Sequence, residues 1–131
     1  MNPFDLPTLR VLVTGSRGWT SETKIRAALR EVGQRGNFIS RTVIVGGAAG
    51  ADFLAAKAAH ELGWTVETHF ADWKRNGKAA GAMRNKDMVD SGADFCLAFW
   101  DGKSRGTADC FGKAVRAGIP VSIIPPPRSS E

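Results

Sequence analysis

The sequence predicts a single α/β domain, built in three layers around a mainly parallel sheet of about five strands. Strand-like and helical segments alternate along the whole chain. The strand-like segments are nearly continuous apolar runs, which is typical of strands buried on both faces of a parallel sheet. The 131 residues contain 43% hydrophobic and 24% charged residues, which is ordinary for one globular domain of this length.

Each element has its own signal along the chain. The predicted strands are Leu9–Thr14, Thr42–Val45, Trp64–His69, Ala93–Trp100 and Ile119–Ile124. Apolar residues at helical spacing predict helices over residues 20–33, 51–62, 81–91 and 107–117. Residues 70–80 are predicted to be a polar loop. We expect a lead-in over residues 1–8, the domain over 9–124 and a disordered tail over 125–131.

The composition of the chain limits the ligands and the cellular location that we expect for the protein. Eighteen Lys and Arg against 13 Asp and Glu give a formal charge of +5, which suits a nucleotide or a nucleic-acid backbone. No apolar run approaches the roughly 20 residues that cross a bilayer, and no signal-peptide pattern is present. Cys96 and Cys110 make neither a disulfide framework nor a zinc site, and His60 and His69 lack partners at metal-ligand spacing. We therefore expect a cytoplasmic protein with no metal, cofactor or membrane contact.

The most distinctive stretch is a glycine-rich turn between the second strand and the second helix. Val43–Val45 stops abruptly at Gly46 and Gly47, and Gly50 and Asp52 open an Ala-rich helix. Free N–H groups and the positive end of a helix dipole bind phosphate in such turns, and glycine keeps side chains out of the way. We expect the three glycines to form a phosphate cradle and Asp52 to orient a ligand hydroxyl or the turn.

The first strand ends in a second glycine turn at the same edge of the sheet, because right-handed crossovers place all strand-to-helix turns there. Gly15, Ser16 and Arg17 are expected to contact the ligand, with Arg17 suited to clamp a phosphate through two hydrogen bonds. Trp19 has two interpretations, a base-stacking ring or a core residue. Ligands of open α/β sheets bind at this edge.

Two further turns reach the same edge. Arg84 and Asn85 begin a helix after a loop of basic residues, and both are expected to contact an anion or a base. A final turn precedes the last helix, where a side chain can cap the helix or hold a phosphate or ribose oxygen. Its candidate residues are Ser104, Gly106 and Thr107. The carboxylates best placed for acid–base chemistry are Asp52, Asp101 and Asp109, and spacing alone makes none of them catalytic.

The chain lacks the motifs of two common nucleotide-binding classes. The first turn does not follow G-x-G-x-x-G, and no acidic residue closes the second strand to hold a ribose. Lys78 is followed by Ala79 and lacks the glycine spacing of a P-loop. These differences argue against an NAD-binding domain and against a kinase or ATPase.

Four stretches together resemble one known family: RVLVTGSRGW, VIVGGAAGAD, ADWKRNGKAAGAMRN and SRGTAD. They resemble the YspA/YpsA-related branch of the SLOG superfamily, the DUF2493 proteins, over roughly residues 9–124. The resemblance implies a Rossmann-like sheet with a nucleotide-derived ligand at its carboxyl edge, in proteins of bacteria, phages and mobile elements. The superfamily also contains the LOG phosphoribohydrolases and the DNA-processing protein DprA.

The chain departs from both of these relatives. LOG enzymes carry P-G-G-x-G-T-x-x-E, whose Glu cleaves the N-glycosidic bond. Here Cys110 occupies the Glu position, and Asp109 lies about 100° away around the helix. The similarity in sequence to DprA is confined to the glycine turn. Homodimerisation is expected only by analogy with LOG-type relatives.

The leading hypothesis is the binding or sensing of a nucleotide-derived small molecule. One alternative is a phosphoribohydrolase that uses a cleft carboxylate. A second alternative is a DprA-like binder of single-stranded nucleic acid, in which Trp19 and Trp73 provide stacking surfaces.

Overall fold

The computed structural model describes residues 7–128. The strands are β1 Thr8–Gly15, β2 Ser40–Val45, β3 Thr65–Thr68, β4 Phe95–Phe99 and β5 Val121–Ile124. The α-helices are α1 Glu22–Gly33, α2 Ala51–Glu61, α3 Trp73–Asn76, α4 Ala80–Asp90 and α5 Arg105–Arg116, with a 3-10 turn at Gly77–Ala79. In this part of the chain, no helix is both long enough and apolar enough to span a membrane.

The strands form one sheet in the order β3-β2-β1-β4-β5, and every pairing is parallel. Val11 of β1 pairs with Val43 on one side and with Phe95 on the other. The chain therefore winds outward from β1 to β3 and then returns to the opposite side of β1. The order reverses between β1 and β4, and the carboxyl ends of these two strands mark the crevice where such sheets bind ligands. The predicted parallel α/β domain is confirmed.

Alternate residues of β1 point into two separate cores. Leu9, Val11 and Val13 are fully buried on the face covered by α1 and α2, where Ile25 and Leu29 pack against them. The opposite face is covered by α4 and α5, and its core contains Leu12, Ile44, Met88, Val89, Cys96, Cys110 and Ala114. Each fully buried aliphatic side chain contributes roughly 1.5–3 kcal/mol of transfer free energy. Burial on both faces explains why the strands are continuous apolar runs.

Most element boundaries differ from expectation by one or two residues, and the differences near the site have local reasons. The predicted loop over 70–80 contains α3, because the Asp72 side chain accepts a hydrogen bond from the Arg75 N–H at 3.1 Å. Helix α5 begins at Arg105 rather than at 107, because Ser104 is its N-cap. The expected lead-in and tail fall partly outside the described residues. Within them, β1 already begins at Thr8, and residues 125–128 carry no helix or strand.

Candidate functional site

An open cleft of about 690 Å³ lies at the carboxyl ends of β1 and β4. Its volume is within the range of about 300–1,000 Å³ usual for small-molecule sites. All four predicted turns, together with the start of α4, contribute to its walls. The predicted site residues that line it are Gly15, Ser16, Arg17, Asp52, Arg84, Asn85, Asp101, Ser104, Gly106, Thr107 and Asp109.

Ser16 connects three of these elements through its own hydrogen bonds. Its N–H donates to the Phe99 carbonyl at 3.0 Å, and its carbonyl accepts from the N–H groups of Trp19 and Ala51. Its Oγ accepts from the Asp101 N–H at 3.1 Å. Ser16 is buried, and these bonds fix the two turns that form the floor of the cleft.

The glycine turn is packed more tightly than an open phosphate cradle. Gly50 has φ +74°, and a Cβ built on it would lie 2.3 Å from the Arg17 carbonyl oxygen. The turn therefore rests directly on the backbone of the first turn, and the Ala51 N–H donates to the Ser16 carbonyl at 3.2 Å. Glycine is required at position 50 by this close approach.

The other two glycines face side chains rather than the central cleft. A Cβ on Gly46 would lie 2.5 Å from Arg84 Nη1, and one on Gly47 would lie 2.7 Å from the Phe70 ring. Arg84 Nη1 also donates a hydrogen bond to the Gly46 carbonyl. What the turn presents to the central cleft is Ala48 and the side chain of Asp52. Gly46, Gly47 and Ala49 line a smaller adjoining space rather than the central cleft.

Asp52 is a buried carboxyl in the wall of the cleft. Its Oδ2 accepts a hydrogen bond from the Ala48 N–H at 3.3 Å, which ties the glycine turn to the first turn of α2. Burial raises the pKa of Asp52 to about 6, although the Ala48 N–H and the positive charges of Arg84 and Arg17 oppose the shift. The Asp52 side chain is thus bonded to the turn, and its contact with a ligand hydroxyl stays a prediction.

The raised pKa of Asp52 makes stability depend on pH in a predictable direction. The folded protein holds a proton on Asp52 up to about pH 6, whereas the unfolded chain releases it near its ordinary value of 3.8. The folded state binds more protons in this interval, so the free energy of unfolding falls as pH rises through it. Asp52→Asn removes this loss, because the amide does not titrate. The free energy of unfolding of the variant, relative to that of the native protein, should therefore rise by about 1.5 kcal/mol between pH 5 and pH 8.

Urea unfolding of both proteins across this pH range measures the effect. Asp90→Asn, at an exposed carboxyl, is the matched control. A gain from Asp52→Asn that stays constant with pH would contradict the assignment.

Asn85 links α4 to α5 and to Arg84. Its Nδ2 donates to the Gly106 carbonyl at 3.2 Å and to Asp109 Oδ2 at 3.0 Å, and its Oδ1 accepts from Arg84 Nε at 3.0 Å. The Asn85 side chain is buried and has a partner for each polar atom. Its role in this structure is to position Arg84 and Asp109.

Asp109 faces the cleft, whereas Cys110 does not. Burial disfavours the charge on Asp109, but hydrogen bonds from Lys113, at 2.7 Å, and from Asn85 outweigh it and lower the pKa of Asp109. Cys110 is fully buried in the core, and burial raises the pKa of its thiol to about 11. The carboxylate that α5 offers to the cleft is therefore Asp109.

Asp101 and the N-cap of α5 form another wall of the cleft. Asp101 Oδ1 accepts hydrogen bonds from the N–H groups of Ser104 and Lys103, both at 2.8 Å, and these bonds lower the pKa of Asp101. Ser104 Oγ accepts from the Thr107 N–H and lies 2.9 Å from Thr107 Oγ1. Both carboxylates that flank this wall, Asp101 and Asp109, are accordingly held in the ionised form.

Three cationic side chains at the cleft have no partner among the described residues. Arg17, Lys78 and Arg105 line it, and none of them forms an ion pair or a side-chain hydrogen bond among residues 7–128. All three are exposed. Sequence reasoning did not single out Arg105, although its place directly after a helix cap at the ligand edge was an available signal.

Trp19 and Trp73 differ in how far their rings are accessible to a ligand. Trp19 is 5% exposed, packs edge-on against Phe99 with ring centroids 5.3 Å apart, and donates from Nε1 to the Ser21 carbonyl. Trp19 therefore packs in the core, and its ring does not line the central cleft. Trp73 does line it and is 52% exposed.

Together, the parallel sheet, its switch point and the cleft above it define a Rossmann-like domain with a ligand-sized site in the usual place. The chain belongs to the YspA, cpYpsA-related SLOG family, whose model matches residues 9–76. It is 46% identical over 117 residues to the Gene 61 protein of Mycobacterium phage D29, covering 86% of this chain and 93% of that protein.

Two solved structures of DprA share the fold. The chain resembles DprA from Streptococcus pneumoniae with a TM-score of 0.73 at 16% identity, over 93% of this chain and 52% of that one. It resembles DprA from Helicobacter pylori, described for its single-stranded DNA binding mode, with a TM-score of 0.64 at 20% identity. That match covers 97% of this chain and 69% of the H. pylori chain. The chain thus spans about half of the S. pneumoniae structure, and at these identities the likeness concerns the fold.

Proposed function

We propose that the cleft binds a phosphorylated, nucleotide-derived small molecule. The observation that carries this proposal is that unpartnered cations and oxygen acceptors line the same ligand-sized cleft. Arg17, Lys78 and Arg105 provide charge that no described residue neutralises, and phosphate is the anion that such groups bind well. The N-terminus of the twelve-residue helix α5 adds its dipole at the same wall.

Two carboxylates of the same cleft suit the sugar. Asp109 uses only Oδ2 for Asn85 and Lys113, and Asp101 uses only Oδ1 for the backbone of its turn. Each carboxylate thus keeps one oxygen without a hydrogen-bond partner among the described residues. Ionised carboxylates accept hydrogen bonds strongly, and ribose hydroxyls supply the matching donors.

One observation favours an enzyme as a second candidate. Asp109 is an ionised carboxylate in the cleft, and such a group stabilises the oxocarbenium-like centre that forms when a base leaves ribose. In this alternative, Asp109 replaces the Glu of the LOG enzymes from the preceding helix position.

A third candidate is the binding of single-stranded nucleic acid. The H. pylori DprA structure is described for that activity, and Trp73 provides an exposed ring beside the basic cleft. Such binding weakens steeply with salt, because bound cations are released from phosphates.

One experiment separates these candidates. The purified protein is mixed with nucleoside mono-, di- and triphosphates, and Tm and released base are followed together. A rise in Tm without base release supports the binder, and base release supports the enzyme. If no nucleotide raises Tm and single-stranded DNA binds instead, the small-molecule proposal is wrong.

Arg17→Ala should weaken the binding of the stabilising nucleotide by about 10- to 100-fold, because a charge-assisted hydrogen bond contributes about 1.5–3 kcal/mol. Arg30→Ala, at an exposed arginine on α1, is the matched control and should leave the affinity unchanged. Equal affinities in both variants would remove Arg17 from the site.

A further inference from the structure

A second groove adjoins the central cleft and has a different character. This aromatic groove, of about 280 Å³, lies between the glycine turn and the segment after β3, and the rings of Phe70 and Trp73 line it. Arg17, Ala48, Trp73 and Arg84 line both the groove and the central cleft. The two spaces are therefore adjacent, with two arginines at their common border.

The two rings are exposed on one side and contact the protein on the other. Phe70 is 77% exposed and Trp73 is 52% exposed. Each ring lies against a glycine, since a Cβ on Gly47 would be 2.7 Å from the Phe70 ring and one on Gly81 would be 3.2 Å from the Trp73 ring. Supported rings that remain open to solvent are suitable surfaces for stacking a nucleobase.

The charges at the junction fit a linking phosphate. Arg17 has no side-chain partner among the described residues, and Arg84 donates to the Gly46 carbonyl and to Asn85. Of the two spaces, Phe70 lines only the groove and Trp73 lines both. Asp101 and Asp109, each with one free carboxylate oxygen, line only the central cleft.

We infer that the natural ligand contains two nucleosides joined through phosphate, one in the central cleft and the other stacked in the aromatic groove. This inference rests on the proposed function, because it assumes that the central cleft holds the first nucleotide. The shared chemistry is a base–sugar–phosphate–sugar–base unit. It occurs in a free dinucleotide and in one step of a longer single strand.

The affinities of mononucleotides and dinucleotides test this inference. Binding of AMP, CMP, GMP and UMP is compared with binding of ApA, CpC, GpG and UpU by calorimetry. Stacking one base on an aromatic side chain should tighten binding by about 5- to 150-fold. The best dinucleotide is therefore expected to exceed its mononucleotide by a factor in this range. Phe70→Ala should reduce that ratio towards one, and Trp73→Ala should reduce it as well.

Phe53→Ala provides the matched control. Phe53 is 64% exposed and lies on α2, outside the aromatic groove, so its removal should leave the ratio unchanged. A length series of oligoadenylates then distinguishes the two sources. Affinity that stops rising at two nucleotides identifies a dinucleotide ligand. Affinity that continues to rise with length and falls steeply with salt identifies a single strand.

The outcomes separate the inference from the proposed function. If mononucleotides bind but dinucleotides bind no more tightly, the second subsite is wrong and the proposed function stands. The same holds if the gain survives in Phe70→Ala. If neither mononucleotides nor dinucleotides bind, both proposals fail.

Discussion

Replacing Gly50 with alanine is expected to lower the free energy of unfolding by about 2–6 kcal/mol. Gly50 has φ +74° and ψ −125°, a conformation that costs L-residues roughly 1–3 kcal/mol. A Cβ there would also lie 2.3 Å from the Arg17 carbonyl oxygen and 2.5 Å from that of Ser16. Backbone atoms cannot swing aside as a flexible side chain does, and overpacking adds about 1–3 kcal/mol.

Gly77 provides a matched control for this substitution. Its φ of +56° and ψ of −135° resemble those of Gly50, but a Cβ on it would meet nothing within 4 Å. Gly77→Ala should therefore show the backbone penalty without the collision, at about 1–2 kcal/mol. Urea unfolding at constant m value measures both variants. Equal losses would mean that the glycine turn does not rest on the first turn.

Asn85→Ala is expected to destabilise the protein by about 2–4 kcal/mol. The Asn85 side chain is buried, and its removal leaves Arg84 Nε, the Gly106 carbonyl and Asp109 each without one partner. Each unsatisfied group in a buried position costs about 1–3 kcal/mol, and solvent near the cleft recovers part of the sum.

The neighbouring position provides the comparison. Lys86 forms an exposed ion pair with Asp90 on the same helix, and such pairs contribute about 0–1 kcal/mol. Lys86→Ala should thus change the urea midpoint little. Asn85→Ala should also weaken nucleotide binding, because Arg84 and Asp109 lose their positions. A variant that keeps both the stability and the affinity of the native protein would show that the network is not structural.

Much of the fold could be predicted from local sequence patterns, because strands buried on both faces must be apolar throughout. Val43–Val45 and Phe95–Phe99 carry that pattern without ambiguity. Helix α3 was missed because a single turn capped by Asp72 has no apolar periodicity to reveal it. Its effect reaches the site, since it positions Trp73.

The site was harder to predict, because sequence shows which residues reach the edge but not which way they face there. Glycine in GGAAGAD indicates close approach, and only the fold shows that the approaching groups are Arg84, Phe70 and the Arg17 backbone. The contrast between Asp109 and Cys110 has the same origin, because the rotation of α5 about its axis decides which of them faces the core.

Amide NMR during titration with the nucleoside monophosphate that raises Tm most is the most direct test of nucleotide binding in the cleft. We expect the largest shift changes at Ser16, Arg17, Gly106 and Thr107, where the carboxyl ends of β1 and β4 meet the start of α5. Changes confined to α1 and β5, or no changes at all, would contradict it.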